Sequence, residues 1–180
     1  MQWKARLQRK PLIVRGARQV GKTWLIKEFG RLAYDQVVYI NFDNNRSMQS
    51  LFDSDYDVAR IIKGLELLSG KKIDAANTLL IFDEIQEVPK ALTSLKYFNE
   101  NAPHYQIVCA GSLLGIALHE GTSFPVGKVE FLDLYPLSFM EFLQAVDKER
   151  YAELANTQDH DLIRTFKQTF VESLKDYYFI

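Results

Sequence analysis

Residues 11 to 23 read Pro-Leu-Ile-Val-Arg-Gly-Ala-Arg-Gln-Val-Gly-Lys-Thr, and no other stretch constrains the fold so tightly. Gly16, four intervening residues and then Gly21-Lys22-Thr23 fit the phosphate-loop (Walker A) pattern. A short apolar run, Leu12 to Val14, leads in as a strand, and Trp24 to Phe29 leads out as a helix expected to stop near Gly30. Glycines let such a loop fold tightly and turn its N–H groups inward onto phosphate oxygens. The helix that follows points its positive end at the same anion. The expected nucleotide contacts are therefore Gly16, Ala17, Arg18, Gln19, Val20, Gly21, Lys22, Thr23 and Trp24. Lys22 reaches the β- and γ-phosphates, and the Thr23 hydroxyl holds Mg²⁺. The bland alternative is a strand-to-helix turn with a surface Lys and Thr; the flanking pattern argues against it.

Downstream, strands alternate with helices. Val37 to Phe42 reads as a second strand, and Val58, Ile61, Ile62, Leu65 and Leu68 follow at helical spacing up to Gly70. Thr78 to Phe82 is a continuous apolar run, expected for a strand buried on both faces. Pro89 suits the first turn of a helix carrying Leu92, Leu95 and Phe98 on one side. Gln106 to Ala110 is another buried strand, and Lys128 to Leu132 is a candidate fifth. Ser138 and Glu141 form a capping box. Leu162, Phe166, Phe170 and Leu174 give the last segment a helical stripe. This order implies βαβ units and an α/β fold, a parallel sheet covered on both faces.

The buried run at 79 to 82 ends in Asp83-Glu84. Ligands of a parallel sheet bind at the carboxyl ends of its strands. Asp83 there, beside a phosphate loop, is placed to hold Mg²⁺ (a Walker B position), and Glu84 to polarise an attacking water. The next strand ends in Ala110-Gly111-Ser112. Ser112 either contacts the γ-phosphate or the water from that strand tip, or caps the helix that follows. Asp43 is either a supporting carboxylate or a loop cap. Cys109 lies in an apolar strand and reads as core. His104, His119 and His160 show no metal-ligand spacing.

Charge is unevenly distributed. Up to Arg31 there are nine basic residues against Glu28 alone, a balance of +8, which leaves −9 for the remainder of a chain of net charge −1. Such a field suits a polyanion site. The Lys4-to-Lys10 group is either a nucleic-acid contact or a solvated face. One cysteine excludes an internal disulfide framework. No apolar run approaches the roughly 20 residues of a membrane helix, and Met-Gln-Trp-Lys-Ala-Arg lacks a signal peptide's apolar segment. The expected location is cytoplasmic, with no membrane partner. The end Asp176-Tyr177-Tyr178-Phe179-Ile180 has no polar tail, which leads us to expect a longer protein.

Four segments occur in order: Gly16 to Thr23, Ile81-Phe82-Asp83-Glu84-Ile85-Gln86, Ala110-Gly111-Ser112-Leu113-Leu114, and Leu134-Tyr135-Pro136-Leu137-Ser138-Phe139-Met140-Glu141-Phe142. With these the chain resembles the prokaryotic AAA-type ATPases that carry a C-terminal domain of unknown function. The likeness covers residues 10 to about 145. It implies a P-loop NTPase core, a three-layer α/β/α sandwich around a mostly parallel sheet of about five strands. An extra strand is expected between the phosphate-loop strand and the Asp83 strand. The core is expected over residues 1–147, with residues 148–180 opening a helical segment. ATP and Mg²⁺ are the implied cofactors, with Lys22, Glu84 and Ser112 in catalysis and Thr23 and Asp83 on the metal. ATP hydrolysis would drive a conformational change in an attached C-terminal domain or in a protein or nucleic-acid partner, with a homo-oligomer as a possible assembly. The alternative is a nucleotide-dependent switch or nucleic-acid-binding module with little turnover. The resembled family usually has Gly-Arg where this chain has Gly127-Lys128; Lys keeps the charge but lacks the planar fork of donors.

Overall fold

The structure, a computed structural model, describes residues 2–6, 8–112, 124–157 and 159–179. Two compact units divide it, Met1–Tyr135 and Pro136–Ile180. In the first, β1 (Leu12–Gly16), β2 (Gln36–Asn41), β3 (Thr78–Asp83), β4 (Gln106–Ser112) and β5 (Glu130–Asp133) form one sheet in the order β2-β3-β4-β1-β5. Every pairing is parallel. β4 is the strand inserted between the phosphate-loop strand and the Asp83 strand, as expected.

Why both sheet faces must be covered follows from β3. All six of its residues are buried, and a strand's side chains alternate between faces. Leu79 and Ile81 join Val14, Val108 and Ala110 against Ile26 of helix α1 (Lys22–Ala33). Leu80 and Phe82 join Ile13, Val38, Ile107 and Cys109 on the other side. There the cover comes from α2 (Arg46–Asp53), α3 (Val58–Ser69) and α4 (Pro89–Asn101), through residues such as Phe52, Ile61, Leu65, Leu92 and Leu95. The three layers expected of an α/β/α sandwich are thus present. Cys109 is fully buried, and burial pushes its thiol far above the ordinary range, so it belongs to the core.

Three details differ from the sequence reading. Helix α1 does not stop near Gly30 but runs through it to Ala33. A Cβ at Gly30 would lie 2.7 Å from Val37 Cγ2 and 3.3 Å from Leu79 Cδ2, so this glycine lets the helix pack close to the sheet. Helix α2 is an element that periodicity over a longer window overlooks. Its signals are short: Asn45 accepts from the Met48 N–H at 3.2 Å, and Met48 and Phe52 are its buried residues. In the second unit the stripe from Leu162 to Leu174 is divided between two helices, His160–Thr165 and Lys167–Tyr178. Thr165 Oγ1 donates back to the Asp161 carbonyl at 3.0 Å, a bond that bends helices, and Phe166 between them leaves helical geometry.

The second unit also contains helices Phe139–Ala145 and Glu149–Asn156. Its first helix starts with the expected capping box, Ser138 and Glu141 exchanging hydrogen bonds. The carboxyl of Glu141 is held below its ordinary range by those same bonds, the one from the Ser138 backbone first. Rings of Phe139, Phe142 and Tyr177 pack together, as do those of Tyr151, Phe166 and Phe170.

Phe82 sits fully buried between Phe42 and Phe52, ring centres 5.4 and 6.4 Å away. Phe82→Ala is expected to cost about 3–5 kcal/mol through lost contact and a residual cavity. Leu67→Ala, at a largely exposed position, is expected to cost under about 0.5 kcal/mol. Urea unfolding of both variants checks the contrast.

Candidate functional site

The carboxyl ends of β1, β3 and β4 meet at one place. Gly16 ends β1 and is in register with Ser112 at the end of β4, while Asp83 ends β3 in register with Ala110. Between β1 and α1 the loop turns through Gln19 (φ 63°) and Gly21 (φ 87°), both left-handed. Gly21 precedes the first helical residue, Lys22, and bears the conformation that a side chain resists. Gly16 is needed for a different reason: a Cβ there would overlap the Leu134 carbonyl oxygen. Main-chain N–H groups in the first turn of α1 have no partner within the helix, and they open toward this loop.

Lys22 is only 8% exposed, and its ammonium lies within the loop, donating to the carbonyls of Ala17 (2.6 Å) and Gly16 (3.2 Å). Thr23 Oγ1 donates to Asp83 Oδ2 at 2.9 Å. Phosphate loop and strand-end carboxylate, 60 residues apart in the chain, are therefore in direct contact. Asp83 is 4% exposed. A carboxylate that deep requires donors, and it has two more. The Tyr39 hydroxyl donates to Oδ2 at 2.7 Å, and the Glu84 backbone N–H donates to Oδ1 at 3.1 Å.

Tyr39 is the residue of this candidate site that the sequence does not reveal. Alternation along β2 alone offers no sign of it; the signal is its position across from β3, which only the strand register supplies. Burial first, and then its bond to Asp83, push the Tyr39 phenol well above its ordinary range, so it is a donor at neutral pH.

Glu84 follows Asp83 in the left-handed region (φ 51°, ψ 42°), an uncommon backbone for a non-glycine residue. Its carboxylate accepts a hydrogen bond from the side-chain amide of Gln86, which is buried in the 3-10 turn Ile85–Glu87. Ala17, Arg18 and Gln19 are exposed along the loop, Val20 is half-buried, and Trp24 stands 70% exposed on the first turn of α1. The main chain of Ser112 lies directly across from Gly16. Its side chain, His119 and the expected helix beginning near Leu113 fall outside the described residues.

Thr23 and Asp83 supply one hydroxyl and one carboxylate in contact. That hard-oxygen pair suits Mg²⁺, which commonly takes one or two protein ligands and completes its shell with water and phosphate oxygens. Among the described residues no group of three or more His, Cys, Asp and Glu is arranged to hold a metal. Such a group characterises an all-protein cage, which is not the arrangement Mg²⁺ needs beside a triphosphate.

The amino-terminal cations have partners of their own. Lys4 donates to the Ala33 carbonyl at the end of α1 and lies 4.2 Å from the centre of the Tyr34 ring. Arg6 pairs with Glu130 at 2.6 Å, Lys10 donates to the Gly127 carbonyl at 2.7 Å, and Arg15 pairs with Asp133. Arg9 donates to the Lys4 and Arg6 carbonyls, both at 3.3 Å. Lys128 pairs with Glu100 at 2.8 Å. Asp43 is exposed just beyond β2, its N–H donating to the Asn41 side chain at 2.9 Å.

Residues 8–143 match the model of the family described as the AAA domain. The chain belongs to that family. This AAA domain accordingly has an AAA-type P-loop ATPase core with a five-stranded, all-parallel sheet. Among solved structures it is similar to the Walker-type ATPase paby2304 of Pyrococcus abyssi, at 18% identity and a TM-score of 0.47, with 83% of this chain covered. It is also similar to C. elegans PCH-2, at 16% identity and a TM-score of 0.42, with 82% covered. The chain spans 58% and 40% of the length of those two chains. No curated protein matches it. No helix among the described residues is long and apolar enough to cross a membrane.

Gly16→Ala is expected to destabilise the fold by about 1–3 kcal/mol, because backbone rather than a flexible side chain must move aside. Thermal melting reads this as a Tm lowered by several degrees.

Proposed function

We propose that this domain binds ATP with Mg²⁺ and hydrolyses it, and that hydrolysis drives a conformational change in an attached C-terminal domain or partner. One observation carries the reading: the 2.9 Å contact between Thr23 of the phosphate loop and Asp83 at the end of β3.

In this reading the loop amides from Gly16 to Gly21, with those of Lys22, Thr23 and Trp24, bind the phosphate oxygens. Helix α1 adds its positive end to the same anion. Lys22, whose ammonium already lies on the loop, neutralises charge on the β- and γ-phosphates. Thr23 and Asp83 would hold Mg²⁺, which would supply positive charge to offset the charge of the transferring phosphate. Glu84 orients the attacking water and takes up its proton. The Gln86 amide steadies one oxygen of that carboxylate. Ser112, opposite Gly16 on the neighbouring strand, contacts the γ-phosphate or the water. Support for this assignment comes from the convergence of the three strand ends and from membership of the AAA family.

Removal of a charge-assisted hydrogen-bond donor costs about 1.5–3 kcal/mol. Lys22→Ala is therefore expected to weaken ATP binding by roughly 10- to 100-fold. Calorimetry that finds unchanged affinity would remove Lys22 from the site. Glu84→Gln is expected to retain ATP binding and lose turnover by about 10²-fold or more. Phosphate release at the full rate from that variant would show that another group activates the water.

A further inference from the structure

Asp83 is held from both sides. Thr23 reaches its Oδ2 from α1, and Tyr39 reaches the same atom from β2, at 2.9 and 2.7 Å. The Glu84 N–H fixes Oδ1 at 3.1 Å. Tyr39 is in register with Ile81, two residues before Asp83. The two-residue period of a strand puts Ile81 and Asp83 on one face, and Ile81 packs with Ile26 of α1. The Tyr39 hydroxyl thus spans diagonally from strand to strand beneath that helix. Lys27 follows Thr23 by four residues on α1, one turn along the same side. Its ammonium lies 3.7 Å from the centre of the Tyr39 ring. The contacts close a circuit: α1 to Asp83 through Thr23, Asp83 to Tyr39, and Tyr39 back to α1 through Lys27.

We propose that Tyr39 is a positioning residue of the nucleotide site, its hydroxyl fixing the Asp83 carboxylate in the orientation that presents it to the divalent cation. This rests on the Mg²⁺–ATP reading given above. Without Tyr39, the Glu84 N–H holds Oδ1 while Thr23 holds Oδ2 from the α1 side only, which leaves Oδ2 free to swing about Oδ1. A second donor on the opposite flank removes that freedom. Mg²⁺ demands near-ideal octahedral oxygen geometry at about 2.0–2.1 Å, so a rocking ligand binds it less well. Loss of a group that orients a metal ligand typically costs about 10- to 100-fold in metal affinity. A tyrosine that merely satisfied its own hydroxyl would not act selectively on the metal.

The test separates metal from nucleotide. Binding of a non-hydrolysable ATP analogue is measured in EDTA; Mn²⁺ is separately titrated into the analogue complex prepared without chelator and followed by electron paramagnetic resonance. Wild type, Tyr39→Phe and Lys27→Ala are compared. Tyr39→Phe is expected to bind the analogue in EDTA within about twofold of wild type, yet to bind Mn²⁺ about 10-fold more weakly. Lys27→Ala keeps the hydroxyl and is expected to hold Mn²⁺ within about twofold of wild type. Unchanged Mn²⁺ affinity in Tyr39→Phe overturns the proposal, as does an equal loss of the analogue in EDTA, which also covers a variant that does not fold. Equal losses of Mn²⁺ in the two variants would assign the effect to ring packing and overturn it too. Should the wild type bind the analogue without gaining any Mn²⁺ site, the Mg²⁺–ATP reading itself fails, and this inference with it.

Discussion

A carboxylate buried at the end of a strand organises this domain. Asp83 lies 4% exposed behind five other buried residues of β3, where an unpaired charge would cost several kcal/mol. Its donors come from three different parts of the chain: Thr23 on α1, Tyr39 on β2 and the Glu84 amide. Satisfying that one group therefore sets how the phosphate-loop helix lies on the sheet. The same bonds join the loop to the only strand end that offers a deep acidic group among the described residues.

Backbone strain gathers around the same rim. Gln19, Asn44 and Glu84 follow β1, β2 and β3, and each takes a positive φ, 63°, 50° and 51°. Left-handed geometry costs a non-glycine residue about 1–2 kcal/mol. Strained residues of this kind cluster where the surrounding structure over-determines them, often at ligand sites. Here the consequence is directional. The turn at Glu84 takes its side chain out of the strand's alternation and sets it beside the buried Gln86 amide. Gly16 adds a second constraint, because the Leu134 carbonyl leaves no space for a Cβ at the loop's entrance.

Legibility varied with the range of the interaction. The phosphate loop and strands β1 to β4 were readable because their signals are local: glycine spacing, and apolar runs bounded by turns. The end of α1 is not legible, since Gly30 resembles a stop signal in one dimension and is a packing position in three. Helix α2 is hard to read because eight residues carry little periodic signal; its Asn45 cap is the local clue to it. In sequence the cluster of amino-terminal cations reads as either a nucleic-acid contact or a solvated face. In the structure these four cations bind carbonyls or acids of their own domain, from the end of α1 to β5.

From the amino-acid order alone came the α/β class, the phosphate loop, the strand that ends in Asp83-Glu84, and the chemistry these residue types support. Spacing of a few residues encodes such features, because helices, strands and tight turns are decided by neighbours in the chain. The family resemblance already implied a strand between the phosphate-loop strand and the Asp83 strand; tertiary structure decided the register and the side-chain contacts, Asp83 with Thr23 and Tyr39 with Asp83. Those contacts span 60 and 44 residues. They arise from sheet order and register, which long-range packing selects and no local pattern records.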